Sequence, residues 1–312
     1  MQNIMDMIPR NFIESYQINI QQVNKLLWPK KPKVLISAVL IQNDLQKLWV
    51  AEKVEKGSKL ILEQHGGHYG VGKFSFTESH EIEISDSYLS WGWNNGNEKV
   101  KKIAHPKLRS NISRNPEGGI CQILMSLPRY SYRMYSVPVA SQVYEYSLAQ
   151  LDFSSSLEPY LRKKLTVKLH PTERGYDLKR RYEDNFPKIT LGDSNNNIYD
   201  EIANNKVIVC TYNATTILEC LSANIPTVMF WNFKHWELNS HAESFYNELH
   251  AVNILHDGPI SAAKFINSNW DNIESWWHSA EVQKVVINFS SQYAYTNKNW
   301  KNGWVEVAKD HY

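Results

Sequence analysis

Apolar residues along the chain fall into short β-rich runs that alternate with longer stretches at helical spacing. KPKVLISAVL and SKLILEQ read as strands, and QNDLQKLWVAEKVEKG between them carries its apolar residues three and four apart, so the N-terminal region opens with a strand, helix, strand unit. The alternation resumes further on with ICQILMSL, a long helical stretch from about Val139 to Lys164, then LTVKL, KVIVCT, TTILECLSA and PTVMFW. Strands that alternate with helices predict parallel sheets, whose ligands gather beyond the C-terminal ends of the strands. Between the two blocks, NNGNEKVKKIAHPKLRSNISRNPEGG is polar, basic and broken by Pro106, Pro116 and glycines, which predicts a linker. The expected division is a partial α/β domain over 1–93, a linker over 94–119, and a complete α/β domain with a helical tail over 120–312. The first block holds only about one βαβ unit, thin for a whole domain, so the chain is expected to begin inside one.

Candidate chemistry sits at the predicted strand ends. After KVIVCT the turn Thr211-Tyr212-Asn213-Ala214-Thr215-Thr216 places hydroxyls and free backbone N–H groups at a helix N-terminus, an arrangement that favours an anion. Glu219, one turn further in, is spaced to reach a ribose beside a bound phosphate; the plainer alternative is that Asn213 or Thr215 caps the helix and Glu219 is solvated. LTVKLHP brings His170 to another strand end, where Pro171 fixes the exit of the loop. ICQILMSL runs into PRYSYRMY, whose Arg129 and Arg133 suit a phosphate or carboxylate, or an ordinary surface ion pair. EQHGGHYGVG follows the apolar run Leu60-Ile61-Leu62, with His65 set between a strand and two glycines. The sequence after it reads as extended or irregular rather than helical, which argues against a phosphate cradle, and His65 and His68 have no third metal ligand at suitable spacing. In HEIEISDSYLSWGW, Ile82, Ile84 and Tyr88 alternate as in a strand, with Glu81 and Asp86 at its edges as candidate base or nucleophile, or as ion-pairing groups.

Charge narrows the partners. With 34 basic and 32 acidic side chains the net charge is +2, and no basic aromatic stripe is present, so nucleic acid is disfavoured. Three cysteines without CxxC spacing and a start that lacks a signal-peptide layout predict a cytoplasmic protein. No apolar run approaches the ~20 residues that span a bilayer, leaving only peripheral membrane contact. Eleven tryptophans are many for this length; Trp91 and Trp93 are expected in a domain seam.

The pattern of His-Pro after one strand, a Thr/Asn turn, a helical glutamate and Ile225-Pro226 before the next strand resembles the nucleotide-binding half of GT-B glycosyltransferases. EQHGGHYG, HEIEISDSYLSWGW, TYNATTILECLSANIP and FWNFKHWEL together resemble a family of transferases of bacterial O-antigen clusters, over nearly the whole chain from Pro9, as a C-terminal portion of longer members. The resemblance implies GT-B-like Rossmann-type sheets and transfer of a sugar from a nucleotide-sugar donor to a glycan or lipid-linked glycan acceptor at the inner face of the membrane, with no metal and no other cofactor. The His-Pro element and the Thr/Asn turn are similar to those of transferases that use CMP-linked acidic sugars. Alongside this stands a non-catalytic nucleotide- or glycan-binding fragment of a split transferase. On the enzymatic reading, Arg129, Arg133, His170, Thr211, Asn213, Thr215, Thr216 and Glu219 face the donor, while His65, Glu81 and Asp86 are the candidates for chemistry at the acceptor.

Overall fold

In the computed structural model, which describes residues 7–40, 43–110, 112–131, 135–193 and 195–312, the strands form two separate sheets. β1 (Val34–Ser37), β2 (Lys59–Glu63), β3 (Ser87–Ser90) and β4 (Val100–Lys102) lie side by side in that order. β5 (Gly119–Ile123), β6 (Leu165–Lys168), β7 (Thr190–Leu191), β8 (Asn205–Cys210), β9 (Thr227–Phe230) and β10 (Leu255–His256) make the second sheet, in the order β10-β9-β8-β5-β6-β7. Every pairing in both is parallel. The architecture is α/β with two Rossmann-type sheets, the GT-B-like arrangement expected. In the second sheet the chain winds outward from β5 through β6 to β7, then restarts at β8 on the other side of β5 and winds away through β9 to β10. The crevice beyond the ends of β5 and β8 is therefore a topological switch point, where ligands of open α/β sheets bind.

Helices cover the sheets. Those that matter for the site are α1 (Asp44–Glu55), α2 (Phe76–Ile84), α3 (Gln142–Ser156), α4 (Thr215–Ser222), α5 (Ser240–Ala251), α6 (Ala280–Tyr293) and α7 (Trp300–Asp310). One apolar core runs from Leu35, Tyr88 and Trp93 under the first sheet to Ile208, Trp231 and Phe289 under the second, so the sheets share buried surface. Trp91 and Trp93 are buried in this core. The last helix returns to the first sheet: Val307 and Trp304 pack on Ile61, Leu89 and Ile103, and Trp304 Nε1 donates to the Ala104 carbonyl at 3.2 Å.

Two expectations are corrected. The segment 94–119 is not simply a linker, because β4 lies within it and pairs with β3, and Ile103, Ala104 and Leu108 are buried. Lys101 and Lys102 face solvent on this edge strand, so the short apolar pattern is masked by its charges. Residues 76–84 are helical, not extended. The alternation Glu81-Ile82-Glu83-Ile84 imitates a strand, but Thr77 and Glu81, one helical turn apart, share the buried face. A lesser difference is that the long helical stretch ends at Ser156, ahead of Pro159, and a short helix, Pro159–Arg162, completes it.

Candidate functional site

The EQHGG loop leaves β2 and lies directly on the N-terminus of α4, which belongs to the other sheet. Gly67 N donates to Thr215 Oγ1 at 3.1 Å. A Cβ at Gly67 would stand 2.5 Å from the Ala214 carbonyl carbon and 2.6 Å from Thr215 N, so only glycine permits this approach. Farther along, Gly70 has a φ of +75° and turns the chain against the Trp93 ring. Residues 70–74 are then laced to the second domain: Gly72 bridges Leu238, Asn239 Nδ2 donates to the Gly70 carbonyl at 2.9 Å, and Phe74 N donates to Ser136 Oγ at 2.9 Å.

A cavity of about 410 Å³ opens between the domains. His65, Gly67 and Tyr69 form one wall; Met125 beyond β5, Arg174, Asn213 and Thr215 form the other. The α4 helix starts after Ala214 with no side-chain cap, so the plainer alternative, capping by Asn213 or Thr215, does not occur. Asn213 Oδ1 instead accepts from the Tyr246 hydroxyl on α5 at 2.6 Å. The first turn of α4 is thus left without a side-chain cap beside the switch-point crevice, where the helix dipole favours an anion.

Thr215 also borders a second cavity of about 570 Å³ on the second domain, lined by Lys107, Arg109, His170, Tyr199, Thr216 and Glu219. Arg109 lies over the Tyr199 ring at 4.4 Å. Lys107 Nζ is 3.8 Å from Glu219 Oε1, yet burial raises the Glu219 carboxyl to about 7 against the pull of Lys107 and Arg109. Near neutral pH this carboxyl passes between an ionised form that only accepts hydrogen bonds and a protonated form that can also donate one. Tyr212, from the same turn, shares a hydrogen bond with Thr216 Oγ1 at 2.8 Å.

The first domain presents groups of a different kind. Burial lifts the carboxyls of Glu63 and Glu78 to about 7 and that of Glu81 to about 8. His105, 3.6 Å from Glu63, is lowered to about 4 by burial and by Lys107, so this pair is not a fixed ion pair. His68 is lowered by burial, although the Phe74 carbonyl at 3.0 Å opposes the shift. His65 meets the Tyr69 hydroxyl at 3.0 Å through Nδ1.

The structure gathers His65, Asn213 and Thr215 at the cleft, and His170, Thr216 and Glu219 at the adjoining cavity. Thr211 lies behind both: fully buried, it donates to the Ile123 carbonyl at 2.9 Å and ties β8 to β5. Glu81 is buried beneath Tyr69 rather than at the cleft surface. Asp86 stands just before the N-terminal end of β3, where it pairs with Lys59 at 2.9 Å and accepts from Leu60 N at 2.8 Å. Arg129 is exposed on the loop after β5 and does not line the cleft; Arg174, whose carbonyl accepts from Arg129 N at 3.1 Å, does. Arg133 lies outside the described residues. Sequence reasoning passed over Lys107 and Arg109 because they sit in HPKLR, within the supposed linker, and over Tyr69, Thr77 and Tyr135 because hydroxyls carry no spacing rule. Among the described residues, no three His, Cys, Asp or Glu side chains are grouped to hold a metal ion, and no helix is long and apolar enough to cross a membrane.

Comparison with known proteins gives one family. The family described as LIC12162 family transferase matches residues 1–307. No curated protein matches. Among solved structures, the chain is similar to an α,α-trehalose-phosphate synthase (UDP-forming) from Burkholderia vietnamiensis, at 9% identity and a TM-score of 0.46, over 97% of this chain and 80% of that one. It is also similar to WaaG, a glycosyltransferase involved in lipopolysaccharide biosynthesis, at 10% identity and a TM-score of 0.40, over 95% of this chain and 80% of that one. Scores this low add nothing to the strand order, on which the fold rests.

Proposed function

The chain belongs to the LIC12162 family of transferases, and on that premise we propose that it is a glycosyltransferase that moves a sugar from a nucleotide-sugar donor onto a surface-polysaccharide acceptor. The observation that carries this reading is the close approach of Gly67 to the uncapped start of α4 at the switch point of the second sheet. It sets a histidine-bearing loop of one domain against the anion-binding end of the other. The donor phosphate lies over the first-turn N–H groups at Thr215 and Thr216, and its nucleoside lies in the cavity of Lys107, Arg109, His170 and Glu219. The transferred sugar points into the cleft toward His65.

On this reading His65 takes the proton from the acceptor hydroxyl as the new glycosidic bond forms, and the nucleotide leaves with its negative charge held at the helix N-terminus. The donor is a CMP-linked acidic sugar, whose carboxylate Arg174 in the cleft wall is placed to meet. The acceptor is a lipid-linked glycan of O-antigen assembly, reached from the cytoplasmic face of the membrane by peripheral contact. Incubation with a panel of nucleotide sugars and lipid-linked acceptors, followed by mass spectrometry, tests the reading. Glycosylated product with release of free nucleotide is expected. Tight binding of nucleotide with no turnover of any pair would instead favour a binding module.

A further inference from the structure

The run FWNFKHWEL, which begins at the last residue of β9, builds a cavity that the donor reading leaves unused. It has a volume of about 600 Å³ and lies beyond the C-terminal ends of β9 and β10. Phe233, Trp236 and Tyr246 supply an aromatic floor. Phe233 is the open ring, 37% exposed, and Trp231 packs edge-on against both it and Tyr246, so the floor is held in place. Glu243, Asn247 and His250 recur at helical spacing on α5 and share the face that carries Tyr246. Asp257 closes the rim, 3.0 Å from His250 Nε2. The remaining side comes from the other domain: Lys73 N donates to the Glu237 carbonyl at 3.0 Å, and Lys73 Nζ meets Glu237 Oε1 at 3.1 Å.

Trp236 also borders the cleft that holds His65, and the Tyr246 hydroxyl donates to Asn213 on the cleft wall at 2.6 Å, so floor and cleft adjoin. The lining disfavours what the donor cavity attracts. Among the described lining residues, Glu237, Glu243 and Asp257 set three carboxyls against one lysine, already paired with Glu237, and this balance repels a phosphate or an acidic sugar. Carboxylates accept from hydroxyls, the Asn247 amide both donates and accepts, and an exposed aromatic ring covers the apolar C–H face of a pyranose. We propose that this cavity binds an uncharged saccharide unit, and that a glycan whose reactive end lies in the cleft continues past Trp236 onto Phe233. The saccharide site stands on the lining of the cavity itself; its assignment to the acceptor glycan rests on the glycosyltransferase reading.

Saturation-transfer NMR of the full chain, with maltotriose, mannotriose, galactotriose and chitotriose as neutral probes and trigalacturonate as an acidic one, reads binding directly. At least one neutral trisaccharide is expected to bind at millimolar concentration, with transfer concentrated on its C–H protons, and trigalacturonate is expected not to. Phe233→Ala should weaken that binding about tenfold, the scale of a lost aromatic stack, with melting temperature and CMP affinity unchanged. Glu243→Gln combined with Asn247→Ala, both exposed on α5, should weaken it as well and decides the matter alone if Phe233→Ala does not fold. The proposal is overturned if no neutral probe binds, if trigalacturonate binds as well as they do, or if either folded variant leaves binding unchanged. A neutral saccharide held by a chain that takes up neither CMP nor UDP would remove the glycosyltransferase reading and keep this site, so the two fail separately.

Discussion

The two walls of the cleft are built from different chemistry. The second domain offers helix N–H groups at the uncapped start of α4 and, in the adjoining cavity, the cations Lys107 and Arg109 beside Glu219, whose carboxyl burial lifts to about 7. The first domain brings His65 to the cleft and, buried behind it, three carboxyls that burial has moved into the neutral range, Glu63, Glu78 and Glu81 at about 7, 7 and 8. The helix end and cations of the second side are suited to holding an anion, and the histidine-bearing loop of the first to moving a proton. Gly67 joins them, and the largest effect is expected there.

Gly67→Ala forces a Cβ into the backbone of Ala214 and Thr215. Overpacking of this kind costs about 1–3 kcal/mol, and a displacement of about 1 Å between reacting groups can cost roughly 10²-fold in rate. Nucleotide release in a transfer assay should fall by about that factor, with a lower melting temperature. His65→Ala breaks only the proton-moving wall: turnover should fall at least ~10-fold, while nucleotide affinity and melting temperature stay close to wild type. Lys107→Ala is the converse. Affinity for nucleotide, read by calorimetry, should fall about tenfold, or about 1.4 kcal/mol, through loss of one charge-assisted contact. If each variant lowered both quantities equally, the division between the walls would fail.

Much of the second wall was legible in the sequence, because a strand, a Thr/Asn turn and an amphipathic helix in TYNATTILECL leave few alternatives. The first wall was half legible. His65 could be placed from its position between an apolar run and two glycines, but Glu81 and Asp86 looked alike as carboxylates beside a strand. Their difference depends on the helical register of α2 and on the end of β3 at which Asp86 stands, neither of which local alternation encodes. Lys107 and Arg109 were hidden by the charges of β4. Arg174 could not be told from Arg129 without the fold of the loop that joins their backbones.

Stability should record the proton-moving wall as well. Carboxyls at about 7 or 8 in the folded chain, against an ordinary value of 4.5, hold protons that the unfolded chain has released, so stability falls as pH rises through this range. His105 and His256, both lowered to about 4, work in the opposite direction, but only below their ordinary value of 6.5, where the unfolded histidines gain protons. Between about pH 6.5 and 8 the carboxyls act alone. Melting temperature is expected to decline across that window, and Glu81→Gln should flatten the decline; a flat wild-type profile would remove the idea that these groups are buried as acids. The smallest effect is expected from Asp86→Asn, at the N-terminal end of β3. It weakens the partly exposed pair with Lys59, should cost under ~1 kcal/mol, and should leave turnover unchanged.

Calorimetric titration of the wild-type chain and of Lys107→Ala with CMP and UDP tests the donor site most directly. One of the two nucleotides should bind the wild-type protein with 1:1 stoichiometry, and Lys107→Ala should weaken it about tenfold. Absence of heat for both at millimolar concentration, or equal affinity in the two proteins, would contradict the placement of a nucleotide donor at the start of α4.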